Sequence, residues 1–115
     1  MKLLHAADLH LDSPFAGLDD RQAALLRQES RDTLGRLVDW ANDHAADVML
    51  LAGDLFDSDR LYSQTARTLA LALGRFRGRI FLAPGNHDPY VPGGYDAVDW
   101  PENVHIFTSR TPRMV

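Results

Sequence analysis

The chain contains no cysteine among its 115 residues. Disulfides and thiolate metal sites are thereby excluded, so any metal has to be held by His, Asp, Asn or Glu. Lysine is nearly absent too: eleven of the twelve basic residues are Arg, and Lys2 is the exception. No stretch reaches the roughly 18–20 consecutive apolar residues of a membrane helix. The apolar run over residues 1–7 is too short for a secretory signal and meets Asp8 at once. A cytoplasmic protein with no membrane partner is the expectation. Glutamate is scarce, since fourteen of the sixteen acids are Asp. The net charge of -4 argues against coating nucleic acid through bulk electrostatics. That argument is weak, because carboxylates gathered around a metal produce the same surplus.

What is present suits a single domain able to bury one core. Hydrophobic residues make up 45% and charged residues 24%, the mix of a globular protein. Residues 2–7 read as a first strand, apolar enough to be buried on both faces. A loop is expected from Leu11 to Asp20, then an amphipathic helix to His44. Its stripe is Leu26, Leu34, Leu37, Val38 and Ala41, with Arg21, Arg27, Arg31 and Arg36 mostly outside. Residues 47–52 read as a buried strand, and Ser63 can cap a helix running to about Phe76 and ended by Gly78. Ala66, Leu69, Ala70 and Leu73 would face inward on that helix. A third strand is expected at 79–83, an irregular connection at 89–101 and a fourth strand at 103–107. Strands alternating with helices predict an α/β fold with a mostly parallel sheet.

Three short segments each follow one of these apolar runs: Asp8-Leu9-His10, Gly53-Asp54-Leu55-Phe56-Asp57 and Gly85-Asn86-His87-Asp88. Ligands of parallel α/β sheets gather beyond the carboxyl ends of the strands. In extended backbone, residues two apart share a side, so Asp8 and His10 can grip one ion. Asp54 can bridge two ions with its two oxygens, and Asn86 offers an amide oxygen to the second. His87 is a candidate general acid for a leaving oxygen, with Asp57 a candidate partner for its ring. Gly53 and Gly85 allow tight turns beside these groups. The other histidines read as structural: His5 and His105 within strands, and His44 at a helix end. Trp40 and Trp100 read as packing residues, and Arg75, Arg77 and Arg79 as a solvated cluster.

In these motifs the chain resembles the calcineurin-like metallophosphoesterases. The stretch His5-Ala6-Ala7-Asp8-Leu9-His10-Leu11-Asp12-Ser13-Pro14-Phe15, with Gly53-Asp54-Leu55-Phe56-Asp57, is most similar to their DNA repair exonuclease branch. That branch holds the nuclease subunit of the bacterial SbcCD complex and YhaO-type members. A protein phosphatase of the superfamily would show Asp-Arg-Gly after the second motif, where this chain has Ser58-Asp59.

The resemblance implies a two-metal phosphodiesterase, commonly with Mn2+, acting on DNA in repair. Asp8, His10 and Asp54 would hold the first ion and Asp54 and Asn86 the second, with His87 as catalytic acid oriented by Asp57. It also implies a four-layer αββα sandwich, of which residues 1–115 would be the N-terminal part of a truncated nuclease domain. An ATPase partner subunit and a homo-oligomer are further expectations. The family's later metal histidines, a strand-end His and a Gly-His-x-His segment, have no match: only His105 lies beyond the third motif. Two other readings therefore stay open, a small-molecule phosphodiesterase and a catalytically incompetent binding or assembly module.

Overall fold

The computed structural model describes residues 1–7, 9, 11, 17–53, 63–84 and 98–107. Among these, β1 (Leu3–Ala7), α1 (Asp20–Asp43), β2 (Val48–Ala52), α2 (Ser63–Gly74), β3 (Arg79–Ala83) and β4 (Val104–Ile106) follow in that order. The strands form one sheet in the order β1-β2-β3-β4, every pair parallel. Successive crossovers of one hand place both helices on one face of such a sheet, and α1 and α2 do touch each other. The expected α/β class and element order stand. They are the arrangement that the resemblance implies for the N-terminal part of the fold.

The core lies between the sheet and the helices. Met49, Leu51, Ile80 and Leu82 point into it from the strands, against Leu34, Val38 and Ala41 of α1 and Leu69, Ala72 and Leu73 of α2. Each large side chain so enclosed contributes about 1.5–3 kcal/mol of transfer free energy. The opposite sheet face behaves differently. Leu3, His5 and Ala7 are exposed, and Val48, Leu50 and Phe81 are only half-buried. The expectation that β1 is buried on both faces is therefore corrected, because only the helical layer covers this sheet among the described residues.

Helix α1 starts where Asp19 accepts a hydrogen bond from the Gln22 amide at 2.7 Å, an N-cap that satisfies a donor the helix cannot. It ends at His44, whose Nδ1 donates to the Trp40 carbonyl at 2.9 Å while the ring stacks on Trp40 at 4.0 Å. Trp40 is thus half-exposed instead of packed in the core. The predicted stripe needs two corrections. Leu26 is 41% exposed and Arg31 is 8% exposed. At 24 residues α1 is about 36 Å long, and a five-residue strand only about 17 Å. Its first half therefore outruns the sheet and has little to pack against at Leu26. Arg31, the next buried position of α1 after Ala23, turns Nε back to the Arg27 carbonyl at 3.4 Å.

Helix α2 stops at Gly74 and not at Phe76, which is buried in the turn that follows. Gly78 has a different task from ending the helix. A methyl group there would run into the Asp47 carbonyl, so its bare α-carbon lets the strand entrances of β2 and β3 close together. Of the segment expected to be irregular, residues 98–101 are described and form no regular element.

Candidate metal centre

Parallel pairing in step sets the geometry at the carboxyl rim. Ala7 pairs with Ala52, and Ala52 with Ala83. The last residues of three strands therefore stand in one row, with neighbouring strands about 4.8 Å apart. The chain leaves this row into all three motifs: at Asp8 after β1, at Gly53-Asp54 after β2, and at Pro84-Gly85-Asn86 after β3. Asp8, His10, Asp54, Asp57, Asn86 and His87 themselves lie outside the described residues, as does Gly85.

The residues flanking them are informative. Gly53 has φ +64°, the left-handed region that a side chain disfavours. Its amide donates to the Ala83 carbonyl at 2.7 Å. The second motif thus leaves the sheet through a turn that only glycine takes without strain, pinned to the strand that leads into the third motif. Beyond β1, Leu11 is 1% exposed and Leu9 packs against the core. A loop is expected from Leu11 onward, and neither anchor is among the expected core residues. Their spacing of two was the available signal, but the step of three from Ala6 to Leu9 breaks the alternation of β1 and hides that both pairs meet one core.

Other candidates lie away from the rim. His105 sits within β4 among aromatic rings, 4.9 Å from Phe107 edge-on and 6.2 Å from Phe81. His5 is an exposed residue in mid-strand, and His44 closes α1. Arg75, Arg77 and Arg79 are exposed at the opposite end of the sheet, where β3 begins. Arg75 leans on Asp39 at 3.4 Å. Among the described residues no group of three or more His, Asp and Glu could hold a metal ion.

In the sequence, Asp-x-His, Gly-Asp-x-x-Asp and Gly-Asn-His-Asp follow three parallel strands whose last residues stand in one row, and comparison with known proteins gives the class. Residues 1–112 match the calcineurin-like phosphoesterase family. The chain belongs to that family, a class of hydrolases that use divalent metal ions. Among its relatives is the uncharacterized metallophosphoesterase YhaO of Bacillus subtilis (strain 168), 36% identical over 118 residues. That similarity covers 97% of this chain and 29% of the relative, so the chain spans less than a third of the relative's length. No helix among the described residues is long and apolar enough to cross a membrane.

Proposed function

We propose that this chain carries the metal-binding portion of a phosphodiesterase that cleaves DNA, with a pair of divalent ions, Mn2+ foremost. The observation that supports this reading is the common row Ala7–Ala52–Ala83 from which the three motifs depart. Three loops leaving within about 10 Å of one another can share a centre. The donor set of carboxylate, imidazole and amide oxygen suits a borderline divalent cation such as manganese. Asp8, His10 and Asp54 would hold one ion, and Asp54 and Asn86 the other. Such a pair supplies charge neutralisation at a phosphoryl group and an acidified water.

The remaining chemistry falls to side chains. His87 donates a proton to the departing oxygen, and its other ring nitrogen is oriented by Asp57. Burial of Leu9 and Leu11 supports the first ligand pair. These two leucines flank position 10 in the sequence and hold the described residues of this segment against the core.

The test is hydrolysis of linear duplex DNA by the full-length protein in Mn2+, together with calorimetric titration of Mn2+. Asp54→Ala should abolish both turnover and the tight phase of binding. His87→Ala should remove turnover by a factor of 10² or more while leaving metal binding in place. Unchanged manganese binding in Asp54→Ala overturns the assignment. Turnover of bis(p-nitrophenyl) phosphate with intact DNA would select the small-molecule phosphodiesterase, and neither binding nor turnover would select the assembly module.

A further inference from the structure

Among the described residues Arg31 is the only charged side chain that is buried, at 8% exposed. Its Nε makes one long bond, to the Arg27 carbonyl at 3.4 Å. Its two terminal nitrogens have no partner among the described residues. No fully enclosed side-chain nitrogen or oxygen there lacks a partner, so those terminal nitrogens reach open space. A guanidinium drawn out of water and left unpaired is unfavourable until an anion completes it. The space beside it is a groove of about 340 Å³ between α1 and α2, on the outer side of the helical layer. Thr68 lines the groove from α2, half-buried, and its hydroxyl also has no partner among the described residues. Gly35 leaves room in the wall of α1: Arg75 Nη2 lies across it, 3.5 Å from the place a methyl group would take.

We propose that this groove binds a phosphate group through the Arg31 fork and the Thr68 hydroxyl, at a site separate from the rim where the three motifs leave the sheet. The fork offers two parallel N–H donors to two oxygens of one anion. Thr68 adds a donor from the second helix, which a tetrahedral oxyanion meets with a third oxygen and a planar carboxylate does not. The carboxylates of the groove do not fill this role. Asp39 is engaged by Arg75 at 3.4 Å, and Asp32 accepts from Gln28 at 2.9 Å. Asp32 also follows Arg31 directly, and adjacent helical residues do not face each other. Arg36 and Arg75 stand exposed at the mouth, in surface pairs with Glu29 and Asp39 that cost little to open. Three arginines against two aspartates leave one positive charge in the lining, which suits the single negative charge of a phosphodiester.

Calorimetric titration of the chain in EDTA tests the site with metals removed, so the outcome does not depend on the metal centre or on turnover. The probes are inorganic phosphate and a short single-stranded oligothymidylate, with chloride held constant and circular dichroism confirming that each variant is folded. The wild-type chain should bind the oligothymidylate, with phosphate competing. Arg31→Lys keeps the charge and loses the fork, and should weaken binding about tenfold. Thr68→Val, at a half-buried position, removes only the hydroxyl and should weaken it about threefold. Binding of phosphate without the oligothymidylate, with the same sensitivity to both variants, would assign the groove to free phosphate instead of a nucleic-acid backbone. A wild-type chain that binds neither probe overturns the proposal. So does binding that is unchanged in both Arg31→Lys and Thr68→Val, since the anion would then sit elsewhere.

Discussion

At the scale of single residues, the position that most constrains the rim is a glycine. Gly53 couples two strands, because its φ of +64° turns the chain out of β2 while its amide is held by the Ala83 carbonyl of β3 at 2.7 Å. A β-carbon in that conformation approaches the following carbonyl and costs about 1–2 kcal/mol. Two responses are open to a Gly53→Ala variant: it keeps the turn and loses that stability, or it relaxes the turn and displaces the segment beginning at Asp54. Denaturant unfolding of the metal-free chain should show a loss of about 1–2 kcal/mol. On the proposed assignment of Asp54 as a metal ligand, manganese affinity should fall in the same variant. A stability equal to wild type would show that the left-handed turn is not maintained in solution. The alternating leucines at 9 and 11 act by a different route, anchoring by burial what Gly53 shapes by backbone conformation.

At the scale of elements, the joints are made by two asparagines. Asn42 of α1 donates from its side-chain amide to the Arg75 carbonyl at 2.9 Å and accepts from the Arg77 amide at 3.0 Å, tying α1 to the link between α2 and β3. Asn103 does more. Its Nδ2 lies 3.1 Å from the Leu73 carbonyl, 3.1 Å from that of Phe76 and 3.3 Å from that of Gly78, at the point where α2 ends and β3 begins. Replacing Asn103 by Leu keeps the bulk and removes the donors, so half-buried carbonyls lose partners at about 1–3 kcal/mol. Thermal unfolding should show the lowered Tm, and a change indistinguishable from zero would assign these carbonyls to solvent. Periodicity revealed the elements themselves, since apolar spacing of two or about 3.6 is a local property. It could not reveal these joints, because Asn42 and Asn103 act on residues 25 or more positions away. The end of α2 was misjudged for a related reason: Gly78 reads locally as a terminator, whereas its constraint comes from Asp47 on another strand. The motifs were legible as motifs. Their common row was not, since it depends on register between strands and no single strand encodes it.

At the scale of the whole molecule, the two sheet faces have unequal standing. Parallel sheets are ordinarily covered on both sides, yet helices cover only one here among the described residues. The row His5–Leu50–Phe81–His105 crosses the other face and is exposed or half-buried throughout. Leu50 and Phe81 are the apolar residues of that row, flanked by His5 and His105. Adjacent residues of β3 separate the two environments: Ile80 is fully buried against the helices, while Phe81 meets Phe107 at 6.1 Å on the uncovered side. In this chain, Ile80→Ala should cost about 2–5 kcal/mol by removing buried methyl groups and leaving a cavity. Phe81→Ala removes a larger side chain but one that already meets water, and it should cost less than half as much. Chemical denaturation of the two variants side by side decides the matter. Equal losses, or a larger loss for Phe81→Ala, would mean that the Phe81 face is covered in solution, by a further segment or by another molecule.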